Sequence, residues 1–245
     1  MIRRCKSSSA GFTIIELMLA MGFVGLLLLA IAMTTIQIGN IYTKGTTLRQ
    51  VNQAGRVISD ELQRSIAATS PFDVDASGTD ARYIEQPGGG RLCIGKYSYV
   101  WNYGQALTTE PGAPDIVNLY VAEGAPIRFV RVDDSNASLC VDPNKKIAQS
   151  AATEMLDGGD RDLVVHRFKV DQTTAIDPMT GQALYAISFT LGTNDRSQLD
   201  TGKPGDIVTG SASCKPPAAG AGGEDYCSVN TFDIVARAGN RVGDN

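Results

Sequence analysis

The residues Gly11-Phe12-Thr13-Ile14-Ile15-Glu16 set a small residue, an aromatic ring and a carboxylate at the mouth of an apolar stretch that runs past Ile36. Two kinds of chemistry are open to them. A peptidase can cut beside the glycine, and the Glu16 carboxylate can form an ion pair in a medium of low dielectric. An acid at the mouth of a membrane-spanning helix is costly to bury, so Glu16 asks for a counter-charge that this chain alone does not supply.

Three blocks position that junction. Residues 1–11 form a short leader whose charged side chains are Arg3, Arg4 and Lys6, a bias that holds the N-terminus on the cytoplasmic side. Residues Leu17 to Ile36 then provide the roughly 20 apolar residues that a hydrocarbon core of about 30 Å requires. After Glu16 no charge returns until Lys44.

An ordinary secretory signal also begins with basic residues and an apolar run. Here small residues and a glycine precede the run, no A-x-A-like site follows it, and Glu16 lies in its first turn. A cut after Gly11 would leave the hydrophobic helix on the mature chain. The arrangement resembles the type III signal of type IV prepilins and type II secretion pseudopilins, in which a glycine, a phenylalanine, a few apolar residues and a glutamate follow one another; an uncleaved signal anchor is the alternative. The resemblance implies that Gly11 precedes the scissile bond of a membrane aspartic prepilin peptidase. Phe12 is then the new N-terminal residue, N-methylated by the same enzyme, and the chain is a substrate whose processing aspartates belong to the peptidase. It further implies that Glu16 pairs with the Phe12 amine of a neighbouring subunit as a filament is built. Low dielectric strengthens such a pair and makes either charge costly alone.

Beyond the membrane the helical pattern continues. Leu48, Val51, Ala54, Ile58, Leu62 and Ile66 step by three or four residues along one face. Opposite them Arg56, Asp60 and Arg64 stand at i,i+4 spacing, which allows weak ion pairs, and Pro71 ends the run. The organisation is a cleaved leader at 1–11, a transmembrane helix at 12–42, an amphipathic helix at 43–70 that continues into the head, and a globular head at 71–245. Gly22, Gly25, Gly39, Gly45 and Gly55 interrupt the helix, either to let another helix approach or to soften it locally. Many pilins carry a helix-breaking proline in the apolar segment; none stands between Phe12 and Ser70 here.

From Pro71 onward short alternating segments are broken by Gly, Pro, Asn and Asp. The clearest strand is Leu184 to Leu191, with further strands expected at Lys96 to Tyr103, Ile116 to Val121, Ile127 to Val132, Asp162 to Val170 and Thr231 to Ala236. The turn Asp177-Pro178-Met179-Thr180-Gly181 joins the strand ending at Val170 to the one starting at Leu184. The fold class is α+β, and the resemblance implies a pilin-like fold: a long N-terminal α-helix packed on an antiparallel β-sheet head. About 175 residues suffice for one core.

Cys5 lies in the leader, which leaves Cys93, Cys140, Cys214 and Cys227 in the part expected to face an oxidising compartment. Three pairings are open. Cys214 with Cys227 is favoured because the two flank a single Pro/Gly/Ala-rich loop, leaving Cys93 with Cys140. No C-x-x-C stands nearby and His166 is the only histidine, which argues against zinc and gives no metal site. His166 alternates with Val164 and Phe168, the pattern of a core or half-buried position on a strand. No G-x-S-x-G, H-E-x-x-H or phosphate-binding loop is present, so neither enzymatic activity nor a cofactor is expected. The run Asp157-Gly158-Gly159-Asp160-Arg161-Asp162 has carboxylates enough for calcium, but Arg161 opposes them and a solvated turn is the plainer reading. The segment Gly202 to Tyr226 reads as an exposed loop.

Removing the leader takes three of the 22 basic residues, leaving 19 against 26 acidic ones, a balance of −7. Such a surface does not attract nucleic acid in bulk, and Lys145-Lys146 is too small a cluster to do so, although local DNA binding stays open. The run from Val51 to Arg64, and more loosely Phe232-Asp233-Ile234-Val235-Ala236-Arg237 with Asn240-Arg241, resembles the PilW/PulJ-like minor pilins and pseudopilins. The implied function is a structural minor pilin of a type IV pilus, in a tip or priming complex for assembly, motility, adhesion or DNA uptake. A type II secretion minor pseudopilin and a non-polymerising membrane-anchored adhesin are the alternatives. The implied partners are other pilin subunits through the N-terminal helix, the prepilin peptidase and an inner-membrane assembly platform. The chain is then a single-pass inner-membrane protein before assembly and extracellular in the pilus afterwards.

Overall fold

The structure is a computed structural model and describes residues 13–108, 112–121, 124–156, 162–195, 198–200, 212–215 and 227–239. One helix, α1 (Ile14–Ala67, 54 residues), carries the apolar run and continues unbroken into the head. At about 1.5 Å per residue it is roughly 80 Å long. It stops three residues before the expected Ser70: the Ala68 N–H still donates to Arg64 O (3.1 Å), but Pro71 biases Ser70 away from helical dihedrals.

The two halves of α1 have different surroundings. From Ile14 to Tyr42 its large apolar side chains are exposed, and a Cβ added at Gly22, Gly25, Gly39 or Gly45 would meet nothing within 4 Å. Over the second half Thr47, Val51, Gly55, Ile58, Leu62 and Ile66 form the buried stripe. Leu48, expected on that stripe, is exposed instead, because Thr47 occupies its position one residue round the helix. Arg56, Asp60 and Arg64 are exposed and do not pair with one another. The ion pair of this helix leaves from Glu61, whose Oε1 accepts from Arg131 at 2.7 Å.

The head has a five-stranded antiparallel sheet in the order β1 (Tyr83–Gln86), β2 (Gly89–Ile94), β3 (Tyr97–Asn102), β4 (Phe129–Asp133) and β5 (Ala152–Glu154). A short helix, α2 (Ser138–Val141), lies between β4 and β5. A second antiparallel sheet follows from β6 (Leu163–Gln172) and β7 (Ala183–Thr193). A small ribbon pairs β8 (Leu199–Asp200) with β9 (Ser213–Cys214). The last strand, β10 (Val229–Ala238), returns to β7, giving the order β10-β7-β6. The two large sheets meet where the Gly104 N–H donates to Val165 O (2.9 Å).

One expected strand is absent and one observed strand was not expected, each for an identifiable reason. Residues 116–121 are no strand, because buried asparagine side chains take over the backbone bonding. Asn102 Oδ1 accepts from Val117 N and Asn118 N, while its Nδ2 donates to Asn118 O and Ile127 O. The β2 strand was hidden by the run Pro87-Gly88-Gly89-Gly90, which reads as a turn. There the missing side chains leave room for an indole: a Cβ on Gly90 would overlap the Trp101 ring.

The strand β10 runs in the same direction as α1 and is fastened to it at intervals. Asn230 Nδ2 donates to Asn52 Oδ1 (2.6 Å), Gln63 Nε2 to Val235 O (3.4 Å), and the Gly239 N–H to Thr69 O (2.9 Å). Between these points the Phe232 ring lies against Gly55, where any Cβ would overlap it. From Phe232 a row of rings crosses the core through Phe189 (5.3 Å between centroids), Phe168 (5.9 Å) and Trp101 (4.2 Å). Gly55 is therefore a packing glycine, whereas Gly45 is not packed. Gly55→Leu should destabilise the head in urea by on the order of 2 kcal/mol through overpacking. Gly45→Leu should be neutral or slightly stabilising, since leucine is the better helix former by about 1 kcal/mol.

Candidate functional site

The helix begins on a reciprocal cap. The Thr13 backbone N–H and hydroxyl donate to Glu16 Oε2 at 3.0 and 2.9 Å, and the Glu16 N–H donates back to Thr13 Oγ1 at 3.3 Å. This capping box satisfies orphan donors of the first turn and folds the carboxylate towards the positive end of the helix dipole. The spacing Thr13-Ile14-Ile15-Glu16 encodes it, a signal the sequence reading passed over. Hydrogen bonding thus gives Glu16 local partners, yet none of them carries a full positive charge. Gly11 and Phe12 lie outside the described residues, as do the leader and Asn240-Arg241.

By length and composition α1 can cross a membrane, and its apolar half has no covering from the head. Its other half, fastened along β10, is also held by a polar clamp that sequence spacing does not reveal. Besides Arg131, Glu61 Oε1 accepts from the Tyr99 hydroxyl (3.3 Å), which also bonds Ser65 Oγ (2.7 Å). The Arg131 guanidinium lies 4.6 Å from the centre of the Tyr97 ring. Burial raises the Tyr99 pKa, so the hydroxyl stays protonated and able to donate. The hydrogen bond from Arg131 to Glu61 raises the arginine pKa further and fixes its charge. Where the chain leaves α1, the Tyr185 hydroxyl accepts from Phe72 N (2.7 Å) and donates to Phe72 O (2.6 Å). The two rings stack at 4.4 Å.

Cys93 is bonded to Cys140 and Cys214 to Cys227. The first bridge lies near the end of α1, since Cys93 and Thr69 line one open cleft. The second closes the chain just before β10 begins, two residues ahead of Val229. Of the segment considered for calcium, residues 157–161 lie outside the described residues, and Asp162 pairs with Arg128 at 2.6 Å. Lys145 Nζ donates to Ser138 Oγ (2.8 Å). Of the segment 202–226 only 212–215 are described. Among the described residues no three His, Cys, Asp or Glu side chains come together to hold a metal ion.

His166 is buried, as expected, and shares a face with Val164 but not with Phe168. A β-bulge between Val165 and Arg167 shifts the alternation, so Val165 and Phe168 share the core while Val164 and His166 face Gly104. Nε2 lies 3.1 Å from Thr193 O; the neutral ring therefore donates from Nε2, leaving Nδ1 as the acceptor.

Comparison with known proteins returns no matching family model, no matching curated protein and no matching solved structure.

Burial lowers the His166 pKa from 6.5 to about 4. Between those values the unfolded chain binds a proton that the folded chain refuses, so stability is present above pH 6.5 and is lost as the pH falls. From pH 7.5 to 5 this histidine should remove roughly 2 kcal/mol of unfolding free energy by linkage. His166→Gln should shrink that decrement in urea titrations at the two pH values, whatever its effect at pH 7.5.

Proposed function

We propose that this chain is a minor pilin: a processed, membrane-anchored subunit that enters a type IV pilus through its N-terminal helix and stands in the tip or priming complex. The observation that carries the reading is a single helix whose first half is apolar, exposed and opened by a glutamate, and whose second half is mounted on a disulfide-linked β head. Such a helix is insoluble alone and needs either a lipid bilayer or other helices around it.

Within this reading the capping box refines the role of Glu16. The carboxylate is already hydrogen-bonded to Thr13, so what a neighbouring subunit's N-terminal amine adds is charge neutralisation in a dry environment. Bringing the two together offsets a desolvation cost that either charge bears alone. The head, held by β10 and by the Glu61 clamp, is carried into the filament as a rigid attachment.

Charge and cap are separable by mutation. Glu16→Gln and Glu16→Ala should both lower incorporation into sheared filaments at least tenfold, whereas Thr13→Val, which removes the hydroxyl from the cap and keeps the acid, should incorporate near the wild-type level. Mass spectrometry of the mature chain should find Phe12 N-methylated at its start. Normal incorporation of Glu16→Ala, or mature chains that retain residues 1–11, would overturn the reading.

A further inference from the structure

Among all the asparagines of the chain, Asn136 alone opens an N-x-S/T triplet, as Asn136-Ala137-Ser138. An acid stands two positions before it, giving Asp134-Ser135-Asn136-Ala137-Ser138. We propose that Asn136 is an acceptor for an N-linked oligosaccharide, transferred to it once the head has crossed the membrane; the proposal rests on the export reading above.

Geometry selects this residue independently of the motif. Asn136 is exposed at the apex of a tight turn closed by Ala137 N–H donating to Asp134 O (3.1 Å). Among the described residues its side-chain amide makes no hydrogen bond, unlike the buried amides of Asn102 and Asn118. It forms part of the rim of an open cleft of about 760 Å³ beside the end of α1, with Thr69, Lys96 and Ser135. That end of α1 is the one farthest from the apolar half, so a bulky polar glycan there meets water and leaves the helix surface clear.

The same turn fixes when the transfer takes place. In the folded head the Ser138 hydroxyl donates to Asp134 Oδ1 (2.7 Å), and Asp134 also accepts from Ser138 N and Leu139 N. Ala137 is held at φ 52°, a left-handed conformation that a side chain disfavours. The hydroxyl and the acid are thus engaged inside the molecule, and the pentapeptide is readable before the turn closes and Cys140 is bonded to Cys93. In the transfer, Asn136 Nδ2 forms a bond to the anomeric carbon of a polyprenyl-diphosphate-linked oligosaccharide. The bond from that carbon to the diphosphate oxygen breaks, the lipid diphosphate leaves with the electron pair, and one amide proton passes to a base of the transferase. Nothing is oxidised or reduced.

The test is to express the full chain in bacterial cells that hold an oligosaccharyltransferase, its lipid-linked oligosaccharide and an exported control acceptor. The tryptic peptide spanning Val132 to Lys145 is then weighed. The expected result is a glycan on Asn136 in the wild type and in Ser138→Thr, and at least a tenfold loss of occupancy in Asn136→Gln. Oxidised cysteines and cleavage of the head by external protease in spheroplasts report export separately. A head that is exported and oxidised but carries an unmodified Asn136, while the control is glycosylated, overturns this proposal and leaves the export reading standing. A head that stays inside with free thiols overturns both.

Discussion

A helix with half its length uncovered by its own chain has to be gripped by the other half, and here that grip is the contact between α1 and β10. The Phe232 ring fits against the bare backbone of Gly55, which makes a side-chain knob and a missing side chain into one close contact. Polar fastenings at Asn52, Gln63 and Thr69 follow the same line. Because β10 also pairs with β7 along ten residues, the grip passes directly into the second sheet, and the ring series carries it across to Trp101 in the first.

The polar interior serves the same end. Arg91 is almost wholly buried, yet its guanidinium donates to Asn118 Oδ1 and to the carbonyls of Leu139, Asp142 and Lys145. Burial lowers its pKa, partly opposed by the nearby Asp142. A charge so placed is tolerable because carbonyl dipoles surround it, and it ties β2 to α2, which holds Cys140, and to the residues that follow it. Glu61 does the corresponding work for the helix, drawing Arg131 and Tyr99 of the first sheet onto α1.

Much of this was legible in the residues. The apolar run and the stepping of Val51, Ile58, Leu62 and Ile66 announce the helix, since burial on one face imposes its own period. The strands β3, β4, β6, β7 and β10 show in alternating or β-branched stretches. What stayed hidden depends on partners distant in the chain. Nothing in Pro87-Gly88-Gly89-Gly90 tells that an indole lies over it, and nothing in Ile116 to Val121 tells that Asn102 will satisfy its backbone. The bulge at His166 reversed the faces of half a strand through one extra residue. At the candidate site the threonine of the cap was readable from spacing alone, whereas the Glu61 and Arg131 pair, 70 residues apart, required the fold.

The common direction of α1 and β10 has a mechanical consequence. Traction applied along the helix from its apolar end acts parallel to that interface, so Asn52, Gly55, Gln63 and Thr69 bear the load together in shear, with no single contact peeled open ahead of the rest. Had the final strand lain across the helix, the same tension would have prised it away one residue at a time.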